Sequence, residues 1–598
     1  MKQANQRVAA YCSLFLMALL PIVTLFAPWT LLPVFSFHSE WLAMFTGLVA
    51  CLAAVPLLIN AEPIAIPKVI GLPLFLLAYI GFQNALLPQV VDQHAQMAML
   101  YLLWAAILLM VVNLLKRHLG LYRVSVGMAI GLTLAAALAG SREFYMRLHG
   151  EFGNWGGMAQ ANNYGDLLML GVVALFYWHH NIASTRRPCL WILAFAILLG
   201  LSLTPSRGVW LYWSAVLLLA WFYQRAWLRD LLIGFMGYLA LLGLWGLDFL
   251  PQHQSAIERF VQEIGGAPLR LHIWAVAWQL FMQNPLLGNG FGQFDWAYFQ
   301  HGQHIPELSS RIEHAHNLIL HFLAELGLLP TLILTVCIIR WLKPLVSLQG
   351  NRATDNVSET NHDYLKGSSV SESSPLRAWL LMSIAVVGIH SMLEYPLWYT
   401  EFLGIASMFL ALGETRSWIV PIPKATWFVI SGILVVSLVT AVRYERQYTR
   451  MELALLAATV QPTQQRYDKL ISECRDIPEN TRLLLPYVPV IFTLAANAVE
   501  NPLRAELATL TTEAYKFWPV DKLAYREALM QALNGNESEA IVTLRLAMAA
   551  YPKSIASFRT ELERLNPADR QKVELLRQML APGVQASLQN QGHAEFIN

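Results

Sequence analysis

Apolar residues run in blocks of about 20, the length a helix needs to cross a hydrocarbon core, and most polar residues fall in the segments between them. About thirteen blocks can be drawn, near residues 9–27, 39–59, 68–86, 96–114, 121–140, 164–180, 188–205, 208–223, 229–250, 316–342, 378–394, 398–413 and 424–442. This pattern predicts an all-α, polytopic helical membrane protein. The first block follows the short basic head MKQANQR with no clear small-residue cleavage site after it, so it is expected to stay as an anchor.

The pattern changes twice. Residues 345–376 are rich in Ser, Asn, Asp and Glu and poor in apolar side chains, which predicts a flexible loop without a catalytic role. From about 443 to 598 the charge density becomes ordinary and apolar residues take amphipathic helical spacing. Within it, LAYREALMQALNGNESEAIVTLRLAMAAYP predicts a helical hairpin turning at Asn534-Gly535 and closed by Pro552, similar to one tetratricopeptide (TPR) unit, although no clean series of repeats follows. Two domains are therefore expected, a transmembrane catalytic one over 1–442 and a soluble helical, TPR-like one over 443–598. The second is either a helical cap or a platform for a protein partner.

Composition agrees with a bilayer as the solvent. The 598 residues are 56% hydrophobic and only 13% charged, with a mean hydropathy of +0.45, too apolar for a soluble protein of several domains. The net charge of +2 is small, and the basic residues are scattered rather than gathered on a stripe, which excludes a nucleic-acid partner. Cys12, Cys51, Cys189, Cys337 and Cys474 show neither paired nor metal-type spacing, so neither disulfides nor zinc are expected.

Lysine and arginine in short loops set the orientation. With a cytoplasmic N-terminus, Lys116 and Arg117, Arg186 and Arg187, Arg225 and Arg229, Arg340 and Lys343, and Arg416 all fall inside, as does the loop 345–376. The same alternation sends 141–163, the turn TPSRG at 204–208, the connection 251–315 and everything after 442 outward.

Arg207, in that outer turn, is on the wrong side for a topology marker and calls for an anion. A guanidinium suits phosphate because its planar fork donates two bonds and stays charged; the alternative is an arginine snorkelling to lipid headgroups. Leu269 to Met282 reads as an amphipathic, tryptophan-bearing helix at the membrane interface with Arg270 in its first turn. The NPLLGNGFGQF that follows carries Gly288, Gly290 and Gly292, but it is not a strand-to-helix phosphate fingerprint, and no nucleotide is assigned to it.

These motifs, in order, are SRG at an outer turn, LR-HIW followed by NPLLGNGFG, and HAHN opening a membrane helix. Together they resemble the O-antigen ligase and polymerase superfamily of bacterial envelope glycosyltransferases. GNWGGMAQANNYGDLL, HSMLEYPLWYTEFLG and the outward helical C-terminal region are similar to its protein-directed branch, the PglL-type O-oligosaccharyltransferases. The resemblance implies a metal-independent transfer, without a cofactor, at the periplasmic face of the bacterial inner membrane. An oligosaccharide would leave an undecaprenyl-pyrophosphate carrier for the serine or threonine hydroxyl of a pilin-like or other periplasmic acceptor protein. Membrane lipids would be the remaining partner.

That chemistry accounts for the residues singled out. A pyrophosphate leaves well once its growing charge is matched, which is the expected role of Arg207 and Arg270. The acceptor hydroxyl is a weak nucleophile and benefits from a base; His316, the residue of HAHN that matches the family motif, is expected to serve as that base or as a hydrogen-bonding group toward diphosphate or acceptor. Gln160, Tyr399, Tyr395, Asn317 and His314 are expected to bind substrate. For Gln160 the alternative is capping and turn chemistry, and for the tyrosines an interfacial aromatic belt. His321 and Glu325, four apart on one helical face, read as a buried polar contact, and Glu313 either orients His316 or faces water.

Three functions compete on these grounds: the protein O-glycosyltransferase, a ligase or polymerase acting on a lipid or glycan acceptor, and a transporter. A transporter should carry ionisable groups near mid-membrane, whereas here they gather at the outer ends of spans. A glycan acceptor gives no reason for an outward helical region of about 150 residues, as read here.

Overall fold

The computed structural model describes residues 2–28, 34–58, 63–151, 155–182, 184–245, 267–302, 311–347, 374–421, 423, 425–461, 463–495 and 504–581. Nearly all of them are helical, as expected. Most of the loop at 345–376 and the start of the connection at 251–315 lie outside the described residues.

The membrane region begins with α1 (Lys2–Val23), α2 (Phe37–Leu58), α3 (Gly71–Leu86), α4 (Gln93–Leu119), α5 (Leu121–Leu148), α6 (Ala161–Asn181), α7 (Leu190–Leu203), α8 (Gly208–Tyr223) and α9 (Arg225–Trp245). After α10 (Ala267–Gln283) and the short α11 (Phe294–His301) come α12 (Leu318–Leu326), α13 (Leu328–Val346), α14 (Ser374–Ser391), α15 (Thr400–Gly413) and α16 (Ala425–Val460). Among the described residues eight helices are long and apolar enough to cross a membrane, and four more are apolar but shorter, including α7, α8 and α15. The 21-residue α6 runs through the centre of the bundle, with Tyr164, Leu168, Met169, Leu170, Val173 and Ala174 all fully buried.

One expectation needs correcting. The block at 316–342 is not one helix: the chain breaks between α12 and α13 at Gly327, whose φ is +85°. A Cβ there would lie 2.4 Å from the carbonyl oxygen of Leu286, and one on Gly288 (φ +69°) would lie 2.2 Å from that of Glu325. The 284–293 loop thus packs backbone to backbone against the break, and this close approach is one reason for its glycines. The helical fold also carries one short two-stranded ribbon. Ile64–Pro67 and Ser417–Val420 pair as an antiparallel ribbon, with Ile64 opposite Val420, at the end of the bundle where Lys116 donates to the carbonyl of Ala411 at 2.6 Å. The expected domain boundary at 442 lies within α16, whose 36 residues run without interruption from the bundle into the C-terminal region.

That region continues with α17 (Gln464–Asn480), α18 (Tyr487–Ala495), α19 (Arg504–Phe517), α20 (Asp521–Leu533), α21 (Glu537–Ala550) and three shorter helices ending at Met579. Helices α20 and α21 form a hairpin through Asn534–Asn536, with Gly535 at φ +86°. Helix α11 is wedged beneath it: Phe299 packs with Tyr515 and Tyr551 in the core of this region. The side-chain amide of Gln93, at the start of α4, donates to the carbonyl of Leu483 at 2.8 Å, and the His94 ring lies 5.2 Å from that of Phe517. The C-terminal helices therefore cover the bundle end that carries α11 and the 311–317 segment.

Candidate functional site

Four separate stretches meet at that end: 160–162 at the head of α6, 204–207 before α8, 270 in α10, and 316 beside the 392–399 turn. Their meeting point is the carboxylate of Glu394. One oxygen accepts from Arg270 Nη2 at 3.0 Å and from Asn162 Nδ2 at 3.0 Å. The other lies 2.8 Å from His316 Nδ1. Burial of Glu394 works against its charged form, but the hydrogen bond from His316 and the charges of His316, Arg270 and His390 outweigh it, so its pKa is lowered.

Local structure explains why His316 arrives there. Asn317 closes the loop by capping α12, its Oδ1 accepting from the amides of Ile319 and Leu320 at 3.1 Å each. The preceding residue is then held at φ +50°, and among the described residues His316 is the only non-glycine with positive φ. Strain of this kind persists only when its surroundings over-determine it. Here Ala315 is fully buried, its amide donates to His321 Nδ1 at 3.3 Å, and Arg311 Nε donates to Asp295 at 3.0 Å.

Of the residues picked out by sequence, the structure brings Arg270, His316, Gln160, Tyr395 and Tyr399 into one cluster. The Gln160 amide donates to the Tyr395 hydroxyl at 3.0 Å; its side chain makes no capping bond, although its backbone carbonyl opens α6. Tyr395 stacks on Tyr399 with centroids 6.0 Å apart and meets the His316 ring edge-on at 5.4 Å. Burial pushes the Tyr395 phenol up to about 12, so it stays protonated and serves as a hydrogen-bonding group. Arg207 is half-buried, one residue from this network: Ser206 Oγ donates to Asn162 Oδ1 at 2.8 Å, and Asn162 in turn holds Glu394. The Asn162 amide thus joins the SRG turn to the carboxylate.

The remaining picks do other work. Asn317 uses its side-chain oxygen to cap α12. His314 packs among the rings of Tyr395, Trp398 and His321 at 4.2, 5.0 and 5.2 Å. Burial, followed by the neighbouring His321, His316, Arg311 and His94, drives its pKa well below the usual histidine value. Glu313 pairs with Arg311 at 2.7 Å. His321 and Glu325 are both buried, 3.3 Å apart, and Glu325 Oε1 also accepts from the amides of Gly292 and Phe294 at 3.0 and 3.1 Å, so the GNGFG loop is tied to α12.

Sequence reasoning missed Glu394 as the hub. It was visible only as a carboxylate in a short turn beside Tyr-Pro, 78 residues from the histidine it holds. The surviving signal was physical: an acid at the end of an apolar block needs a buried partner.

As an arrangement, the cluster is a carboxylate–imidazole pair with a guanidinium alongside. Glu394 fixes Nδ1 and leaves Nε2 as the basic position, the geometry by which a histidine is made a proton acceptor.

Comparison with known proteins adds a family. Residues 192–335 match the O-antigen ligase family, and residues 378–564 match the virulence factor membrane-bound polymerase, C-terminal family. Over 332 residues the chain is 24% identical to a general O-oligosaccharyltransferase of Acinetobacter baylyi, an alignment covering 52% of each protein. The match therefore spans about half the length of that relative. The first family match contains Arg207, Arg270 and His316 and the second contains Glu394, Tyr395 and Tyr399. On these matches the chain is similar, over these segments, to the O-antigen ligase family and to a general O-oligosaccharyltransferase.

Proposed function

We propose that this protein is a member of the O-antigen ligase and O-oligosaccharyltransferase superfamily that transfers an oligosaccharide from an undecaprenyl-pyrophosphate carrier to a serine or threonine hydroxyl of a periplasmic protein, with its site at the outer face of the bacterial inner membrane. The observation that carries the reading is the Glu394 carboxylate gripping His316 and Arg270 together, in a bundle end covered by the C-terminal helices.

In the proposed step the acceptor oxygen attacks the anomeric carbon while His316 Nε2 takes its proton. The new carbon–oxygen bond forms as the bond from the anomeric carbon to the diphosphate oxygen breaks, and the bonding pair leaves with the phosphate. Arg270 and Arg207 offset the charge that develops there. Glu394 stabilises the imidazolium that forms, so proton transfer does not leave an unpaired charge in a partly buried site. Gln160 and Tyr395 are hydrogen-bonded to each other beside His316 and supply polar contacts to sugar or diphosphate. The inactive partner in this scheme is Asn317, which shapes the loop.

Intact mass measurement of pilin-like and other periplasmic proteins, in cells with and without the gene, tests the reading. Loss of a glycan-sized mass from a protein on deletion is the expected result. The match of residues 192–335 to the O-antigen ligase family favours a second reading: unchanged protein masses alongside shortened lipopolysaccharide would establish a glycan acceptor instead.

A further inference from the structure

One turn beneath the Glu394 cluster lies a second pair of ionisable groups that the proposed step leaves unused. Asp166 sits in the second turn of α6 and is 0% exposed; His390 sits in the last turn of α14 and is 1% exposed. His390 Nδ1 lies 3.0 Å from Asp166 Oδ2. The approach is off the hydrogen-bond line, and neither Asp166 oxygen accepts a hydrogen bond among the described residues. What joins the two is charge rather than a hydrogen bond. The rings of Tyr212 and Phe402 lie 6.4 and 6.1 Å from that of His390. A carboxylate in such aromatic surroundings needs a counter-charge, and His390 is the group within reach.

Position says what the pair can do. Along α6, Asp166 is one turn below Asn162. Along the facing segment, His390 is one turn below Glu394, whose amide donates to the His390 carbonyl at 2.8 Å. A helical turn advances about 5.4 Å, so the two spacings match. The result is a ladder between the head of α6 and residues 390–395, with Gln160 on Tyr395, Asn162 on Glu394 and Asp166 on His390, each rung spanning 3.0 Å. The two upper rungs are hydrogen bonds between half-buried side chains, whereas the lowest is closed off from solvent. For packing alone, two apolar side chains would fill that place without the penalty of desolvating two charges. An ionisable pair inside a membrane bundle points instead to function.

We propose that Asp166 and His390 are positioning residues for the transfer step: their buried ion pair pins the turn that carries Glu394 against the head of α6, and so holds the carboxylate where it grips His316 and Arg270. Neither side chain touches substrate. The pair acts through Glu394 by two routes, the amide that rests on the His390 carbonyl and the His390 charge, which favours the ionised carboxylate. The proposal rests on the glycosyl-transfer reading above and adds the element that aims its carboxylate.

A double-mutant cycle tests it, using the full chain in proteoliposomes with a synthetic undecaprenyl-diphosphate trisaccharide as donor and a purified periplasmic protein as acceptor. Asp166→Asn keeps the shape and removes the charge. In the otherwise wild-type chain it is expected to lower kcat by about tenfold or more while donor KM stays within about twofold. In a Glu394→Gln background the same substitution should change the single-turnover rate by no more than about twofold, because the group it acts through is already altered. Should Asp166→Asn lower Tm, Asp166→Leu combined with His390→Leu, which leaves no charge unpaired, is read through the same cycle with the same result expected. Equal factors in both backgrounds, or full kcat in Asp166→Asn, would overturn the positioning role while leaving the glycosyl-transfer reading intact. A wild-type chain that does not transfer would overturn that reading and this proposal with it.

Discussion

Glu394 holds His316 by Nδ1 at 2.8 Å while its other oxygen holds Arg270 at 3.0 Å, so one carboxylate fixes both the base and a cation of the proposed step. Glu394→Gln keeps the size and some hydrogen bonding but removes the charge that favours an imidazolium. A loss of about 10²–10⁴-fold in kcat is expected, the range for impaired general-base catalysis, with a smaller change in KM for the donor. His316→Ala should abolish transfer while membrane insertion persists. Initial rates with a purified lipid-linked donor check both, and full activity in Glu394→Gln would remove the carboxylate from the mechanism.

Two of the shifted groups in and beside this cluster, Glu394 and His314, act on stability in different pH windows. Glu394 has a folded pKa below its ordinary 4.5, so its contribution is fully present above about that pH and is lost only as pH falls through the folded value. His314 is also lowered, from an ordinary 6.5, but for a histidine this means that the unfolded chain takes up a proton the folded chain refuses. Its burial therefore costs nothing above 6.5 and destabilises progressively below it. Wild-type Tm should fall between about pH 7 and pH 5, and His314→Phe, which keeps the ring contacts, should flatten that slope. The Tm difference between wild type and Glu394→Gln should instead stay constant across this range and shrink only at more acidic pH.

Much of this was legible in the chain because the membrane imposes simple rules. Backbone groups must be satisfied within each span, so apolar blocks become helices. What stayed hidden depends on contacts between distant segments. Nothing in the block at 316–342 announces that Gly327 is pressed against Leu286, because that constraint belongs to the neighbouring loop. The ribbon joining Ile64 to Val420 is short and joins segments some 350 residues apart, beyond the reach of periodicity. Glu394 is one residue of HSMLEYPLWYTEFLG in the chain, and only the fold brings Asn162, Arg270 and His316 onto it. Asn317, expected to bind substrate, also caps α12 with its side-chain oxygen, a role its place in HAHN does not announce.

A direct test separates those two roles of Asn317. Its side-chain oxygen serves two amides at the head of α12, and losing a cap of this kind costs about 1 kcal/mol. Asn317→Ala should lower Tm and reduce transfer together, because the loop carrying His316 loses its closure. Asn317→Asp and Asn317→Ser, both good caps, should restore both. A variant set in which Tm recovers but transfer does not would return Asn317 to the substrate-binding residues.

Arg311 is where the loop carrying His316 and the C-terminal helices are locked together. Its Nε donates to Asp295 on α11 at 3.0 Å, its Nη1 pairs with Glu313 at 2.7 Å, and its guanidinium lies 5.8 Å from the Trp518 ring. The Asp295 side chain is only 7% exposed, so Arg311→Ala strands a buried carboxylate, which costs about 3–5 kcal/mol. The expected result is a large fall in Tm, faster proteolysis of the region after 460, and loss of transfer although no residue of the Glu394 cluster is touched. Removing both charges, with Arg311→Met and Asp295→Leu, should recover most of the stability, since the penalty belongs to the unpaired ion rather than to the missing attraction. Transfer then reports on geometry alone: if it returns with stability, the ion pair is a scaffold for His316, and if it stays absent in a stable protein, the guanidinium itself is needed to aim the loop.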